Sequence, residues 1–249
     1  MADATYDGHS GEALREWLGL PAVEVWETVG STLDVAHERG AAGAPAGTLI
    51  LADRQSAGRG RAGHRWESAA GAGIWLTLLE RPADAAGIDL LSIRLGLGAA
   101  RALDRFAPDP VRVKWPNDLW VAAGKLAGIL VESRWRDGRV DWVAIGLGLN
   151  TRPPAELPGG GGALAPGVSR VEVLAELLPA LRAAAAGRDE LTERELAAWH
   201  ERDLARGRRV REPAAGEVLG IDARGALLVR TADGDVACRT GSLIFEEDT

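Results

Sequence analysis

TLILADRQSAGRGRAGHRWESAAGAGIWLTLLE, residues 48–80, is the stretch on which the fold turns. Its two ends, 48–54 and 73–80, are largely apolar runs that read as strands. Between them lies a loop of glycines and arginines, Gln55 to Gly71. Within it GRGRAG, Gly58 to Gly63, satisfies the dinucleotide pattern G-x-G-x-x-G letter by letter. A nucleotide fold needs a helix to open at the last glycine, so that its N-terminus faces the pyrophosphate. Here HRWES and a second strand follow, so the match does not mark a dinucleotide site. Arginines between the glycines point instead to a concavity of backbone N–H groups for an anion, with Arg59 and Arg61 adding charge. The plain alternative is an exposed Gly/Arg loop.

Working outward, 89–106 places Leu90, Ile93, Leu97, Ala100, Leu103 and Phe106 on one stripe of a helix that covers a sheet face. VRVKW (111–115), GILVESRW (128–135) and DWVAIGLGL (141–149) give three more strands, with a turn at Pro116 and a hairpin at Asp137-Gly138. The sheet is expected to be mixed and built partly from hairpins. Helices are expected at Gly11–Gly19 and from Ser31, as N-cap, to Arg39. After Asn150, Pro153, Pro154, Pro158 and the glycines 159–162 read as a surface loop, followed by helical stretches at 169–187 and 189–205. From Arg208 onward five short strands suggest a small appended barrel.

Composition narrows function. The 249 residues are 46% hydrophobic and 26% charged, with net charge −7, which disfavours a dedicated nucleic-acid binder. The longest uncharged stretches, 40–52 and 157–169, fall short of the roughly 20 apolar residues of a membrane span. No secretory signal is visible at the start, and the single cysteine, Cys238, excludes an internal disulfide, so a soluble cytoplasmic protein is expected. Of the 29 basic residues all but Lys114 and Lys125 are arginine, the asparagines are Asn117 and Asn150, and the one glutamine is Gln55. A background that drifts lysine to arginine makes the survivors suspects, because a compact ammonium and a planar guanidinium are not interchangeable. If the strands of KWPND (114–118) and GKLAGIL (124–130) are neighbours, both ammonium groups converge with the loop arginines on one pocket. Such a set suits a polyphosphate or a carboxylate attacking one, where two solvated lysines would be the bland reading. Trp66 and Trp115 are candidates to stack on a flat ligand.

Together ST (31–32), RQSAGRGRAGHRW (54–66), VRVKWPND (111–118), KLAGILVE (125–132), GLGLN (146–150) and GIDARGALLV (220–229) resemble the biotin–protein ligases. The resemblance implies an α+β fold: a mixed-sheet catalytic domain of the biotin/lipoate-ligase type over 1–206 and a C-terminal SH3-like barrel over 207–249. Only about thirty residues precede Ser31, too few for the winged helix of repressor members, so a short form without DNA binding is expected. It further implies that biotin's carboxylate attacks the α-phosphate of Mg-ATP to give biotinyl-5′-AMP, which a lysine of a biotin carboxyl carrier domain then consumes. Carried over residue by residue, Ser31, Thr32, Gln55, Gly58, Arg59 and Gly60 would bind biotin. Arg61 and Lys125 would hold its carboxylate and the α-phosphate. His64, Trp66 and Asn150 would serve ATP, with Trp66 and Asn150 at the adenine, and Lys114, Asn117 and Asp118 would lie near the polyphosphate. Lys125, Arg61, Lys114 and Asp118 are the catalytic candidates, and Asp118 is the candidate Mg2+ contact. Leu33 and His64 depart from the family pattern, which commonly has asparagine and arginine there, and GSLIF replaces an acidic motif in the barrel. A lipoate–protein ligase and a non-catalytic biotin-binding regulator are the competing readings. Members occur as monomers and as homodimers.

Overall fold

A computed structural model describes residues 4–154, 161–185 and 189–247. In chain order it contains α1 (Gly11–Leu18), β1 (Ala22–Val29), α2 (Thr32–Ala41), β2 (Thr48–Gln55), β3 (Gly73–Glu80), α3 (Leu91–Leu103), β4 (Arg112–Lys114), β5 (Asp118–Val121), β6 (Gly124–Arg136) and β7 (Arg139–Asn150). There follow α4 (Arg170–Ala184), α5 (Glu193–Arg202), β8 (Arg209–Glu212), β9 (Gly216–Ile221), β10 (Leu227–Thr231), β11 (Gly234–Cys238) and β12 (Ile244–Phe245).

The first seven strands form one sheet in the order β1-β2-β3-β7-β6-β5-β4. It is mixed: β1 and β2 run parallel, and each remaining neighbour is antiparallel. Strands β2, β3 and β7 read as near-continuous apolar runs because both faces of the sheet are covered. Side chains alternate between those faces. Leu49 and Leu51 enter the main core with α3 and α4, whereas Ile50 joins Leu33, Val35 and Ala36 of α2 on the other side. The Asp137-Gly138 turn is present with both residues at positive φ, as a two-residue hairpin requires. Ser31 caps α2 as its sequence implied, its hydroxyl accepting from Leu33 N.

Two strands were not anticipated. β1 supplies the parallel edge of the sheet, and β5 turns KWPND from a projecting loop into a hairpin between β4 and β5. Pro158 and glycines 159–160, like the end of the helix read over 169–187, lie outside the described residues.

The expected SH3-like barrel is not formed. The five C-terminal strands exist, but they lie in an open sheet ordered β11-β10-β9-β8-β12, with β11 and β12 unpaired to each other. Closure would need a long last strand, and β12 has only two residues. The sheet has another way to cover its apolar face: Val210, Val218, Leu227, Val229 and Phe245 belong to the same buried cluster as the main-sheet residues. The Trp115 indole donates to Gly225 O at 3.0 Å and Leu191 N to Ala223 O at 2.7 Å. No helix among the described residues is long and apolar enough to cross a membrane.

The end of α5 docks on β4, the strand that carries Lys114. Arg202 donates to Asp104 at 2.6 Å and to Val111 O at 2.9 Å, Arg112 donates back to Arg202 O and Asp203 O, and Val113 bridges Asp203. Burial alone would raise the Asp104 carboxyl, but hydrogen bonds from Arg202 and Val111 N–H outweigh it and hold the group below its ordinary range. Its contribution is therefore full above the ordinary carboxylate pKa and is lost as pH falls through the folded-state value. Urea unfolding followed from about pH 5 to pH 2 should show stability falling with acid, and Asp104→Asn should flatten part of that fall.

Candidate active site

The face of the main sheet at β6 and β7 is bare at its centre. Gly128 on β6 pairs in register with Gly148 on β7; a side chain at Gly148 would collide with Trp66 and one at Gly128 would press on it, with a Cβ 3.0 Å from the ring. A Cβ at Gly148 would lie 2.3 Å from the indole nitrogen, so the glycines form a seat for this ring. Beside it opens a cavity of about 240 Å³ whose lining includes Ser31, Thr32, Gln55, Arg61, Lys114 and Lys125.

One wall is a hydrogen-bonded polar cluster. Thr32 donates from its N–H at 2.9 Å and from its hydroxyl at 3.1 Å to Gln55 Oε1, and Thr77 Oγ1 donates to Thr32 Oγ1 at 2.8 Å. Gln55 Nε2 donates one proton to Ser68 Oγ. The donors of this wall still available to a ligand are thus the Ser31 hydroxyl and the second Gln55 amide proton. Leu33 continues the wall as an apolar surface packed on Gly146.

The glycine-arginine loop covers the mouth. Gly58 packs so closely on the chain that a Cβ would meet Trp66 O at 2.4 Å. Arg61 donates to Asn117 Oδ1 at 3.2 Å and to Gly241 O at 3.4 Å, joining the loop to the β4–β5 turn and to the C-terminal sheet. Arg59 is ion-paired with Asp34 at 2.9 Å and Glu132 at 3.1 Å. His64 and Gly60 line the cavity, and Gly60 N bonds His64 O.

The two lysines approach from β4 and β6, with β5 between them rather than as direct neighbours. Lys125 Nζ lies 2.8 Å from Asp118 Oδ1 and 5.2 Å from the Trp66 ring centre. Lys114 Nζ lies 5.0 Å from the ring centres of both Trp120 and Phe245. Asp118 is the one carboxylate among the described lining residues, against Arg59, Arg61, Arg65, Lys114 and Lys125. The cavity therefore favours an anion.

Both asparagine amides are committed to the protein. Asn117 Nδ2 donates to Ile129 O while its oxygen accepts from Arg61. Asn150, buried, donates to Lys125 O and Gly162 O. Trp66 and Asn150 do share a second depression, with Lys125 and Gln55 common to both spaces. Trp115 is only 2% exposed and its N–H is used by Gly225, so of the two tryptophans singled out Trp66 is the one presented to a ligand. Sequence reasoning noted GSLIF only as a departure from an acidic motif and did not place Ser242 and Leu243 at the cavity rim, and it missed Ser68 and Thr77 behind the polar wall, whose common residue types gave no signal.

Residues 27–150 match the Biotin/lipoate A/B protein ligase family. The biotin–[acetyl-CoA-carboxylase] ligase of Mycobacterium tuberculosis is 32% identical over 91% of this chain and 90% of its own length. That of Paracoccus denitrificans is 32% identical over 79% and 89%. The bifunctional ligase/repressor BirA of Bacillus spizizenii is 36% identical over 52% of this chain, and this chain spans 40% of its length. Among solved structures, the biotin protein ligase of Aquifex aeolicus in complex with biotin and ATP shares the fold with a TM-score of 0.75, at 24% identity over 90% of this chain and 98% of that one.

Gly148→Ala should force Trp66 off its seat. The expected cost is about 1–3 kcal/mol of stability from overpacking, read by urea unfolding, together with a shift of indole emission as the ring moves toward solvent.

Proposed function

The chain belongs to the biotin/lipoate A/B protein ligase family, as one of its biotin–protein ligases, and on that footing we propose that it activates biotin with ATP and transfers it to a lysine of a biotin carboxyl carrier domain. The observation that carries the reading is the convergence of Arg61, Lys114 and Lys125 on one cavity that also holds the Ser31–Thr32–Gln55 wall.

In this reading the ureido ring of biotin meets the Ser31 hydroxyl and the Gln55 amide, beneath Gly58, Arg59 and Gly60. Its carboxylate lies by Lys125 and Arg61. A carboxylate oxygen attacks the α-phosphorus, a new O–P bond forms and pyrophosphate leaves with the electrons of the broken P–O bond. The carrier lysine's neutral amine then attacks the acyl carbon, and AMP departs. Two anions must meet in the first step, and cations fixed in place lower that barrier without reorganising. Asp118 neutralises Lys125 before the anions arrive and accepts competition from them afterwards. Lys114, Asn117 and His64 face the polyphosphate, and Trp66 with Asn150 offers the adenine site in the second depression. The loop keeps water from the mixed anhydride.

Among the described residues no group of three or more His, Cys, Asp or Glu is placed to hold a metal. One carboxylate, Asp118, supplies one ligand of the six that magnesium prefers, so Mg2+ fits here as part of the nucleotide substrate rather than as a resident ion. Within this reading residues 1–206 form the catalytic unit, and 207–249 an appended unit that adds the Gly241–Leu243 rim.

Labelled biotin, ATP and a purified carrier domain test the proposal. ATP-dependent labelling is expected, falling by about 10²-fold or more in Lys125→Ala. Biotin binding without transfer would favour a regulatory protein, and transfer of lipoate in place of biotin would move the chain to the sister activity.

A further inference from the structure

The two arginines of the loop serve different sides. Arg61 reaches the cavity rim, whereas Arg59 is gripped by Asp34 of α2 and Glu132 of β6. Glu132 is itself held. Its Oε2 lies 2.6 Å from His37 Nε2, and the other ring nitrogen, His37 Nδ1, lies 3.0 Å from the Trp142 indole nitrogen. An indole N–H can only donate, so Nδ1 must accept and the proton of the neutral imidazole sits on Nε2, from which it is donated to Glu132. Trp142 is 7% exposed and packed against Gly40, where a Cβ would come within 2.6 Å of the indole. The relay therefore starts from a fixed point. It runs from Trp142 through His37 to Glu132, and from there to Arg59 and Asp34; Arg134 stands further off, 3.9 Å from Glu132. None of Asp34, His37, Glu132 or Trp142 lines the cavity.

We propose that His37 and Glu132 are positioning residues that, with Asp34, use Arg59 as an anchor for the loop. Gly60 is the single residue between Arg59 and Arg61. Fixing the first guanidinium on the back of the loop limits where the second can go, which keeps Arg61 and His64 over the cavity and the loop closed on a reactive acyl phosphate. The His37 tautomer matters because a ring flipped or deprived of its Nε2 proton would set an acceptor against a carboxylate. This inference rests on the ligase reading and gives the Arg59 side chain a part outside the ureido pocket.

Two measurements on the full-length protein test it. The first is amide hydrogen exchange of residues 56–66 without ligands, which needs no activity. The second is the ratio of AMP formed to carrier labelled, which a merely structural defect would not change. In Glu132→Gln the loop amides should exchange about fivefold faster, the equivalent of about 1 kcal/mol for a partly exposed ion pair, while β3 and β7 stay unchanged. The AMP-to-label ratio should rise as adenylate escapes to water. His37→Leu should behave in the same way, and His37→Gln, whose amide can donate to Glu132, should recover toward wild type. If Glu132→Gln also loosens β6, then Asp34→Asn on the exposed face of α2 decides, with the same loop-confined increase expected. Loop exchange and ratio equal to wild type in these variants would overturn the anchor and leave the ligase reading standing. A loosened loop in a protein that labels no carrier would uphold the anchor and sink the ligase reading.

Discussion

Arg61, Lys114 and Lys125 bring like charge into a cavity of about 240 Å³, and like charges at such range repel. Much of the surrounding structure answers that repulsion. Each cation has its own tether: Arg61 the Asn117 oxygen and the Gly241 carbonyl, Lys125 the Asp118 carboxylate, and Lys114 the faces of Trp120 and Phe245. Among them the Lys125–Asp118 pair joins full opposite charges, the ring faces attract the Lys114 ammonium through their quadrupoles, and the Arg61 contacts are dipoles, which steady a cation without cancelling it. A site lined with enough carboxylates to neutralise the cations would be more comfortable when empty and less attractive to phosphate.

The order of the chain makes this possible. Lys114, Asn117, Asp118 and Lys125 lie on the β4-β5-β6 meander, so two local turns set most of the charge geometry. The polar wall is different in kind. Thr32, Gln55 and Thr77 come from α2, β2 and β3, and the hydrogen bonds through Thr32 tie the first residue of α2 to the last of β2 and to the middle of β3. Its amide and hydroxyl groups are mostly spent on one another, which leaves a small number of donors with fixed direction. Fixed donors select among ligands more sharply than mobile ones.

Much of this was legible beforehand, for reasons that can be named. β2, β3 and α2 announced themselves through apolar runs and the Ser31 cap, and Lys114, Lys125 and Gln55 through their rarity in a chain that otherwise avoids those residues. β1 escaped because AVEVWETV mixes Glu24 and Glu27 into a half-buried edge, and β5 because its four residues sit between two turn signals. Rarity marked Asn117 and Asn150 as special, yet their amides bind Ile129, Lys125 and Gly162 carbonyls. What had resisted exchange there was a planar amide, used for two donated bonds at Asn150 and for one donated and one accepted at Asn117. Asp34 and His37 stand three residues apart on α2, but nothing in the sequence foretold that Glu132, 95 positions beyond His37, would join them around Arg59. The barrel expectation failed on the same ground: counting strands gives no information on whether the first and last of them pair.

An open sheet has consequences of its own. The outer side of β11 presents main-chain donors and acceptors without strand partners, and such an edge is a template on which a second chain can add. The strand is short, begins at Gly234 in a positive-φ turn and carries Asp235 beside exposed Val236. An incoming strand would have to desolvate that carboxylate and would gain only five residues of pairing. The leniency that lets this sheet lie against the main core instead of closing on itself is thus matched by an edge too brief and too charged to seed self-association in a crowded cell.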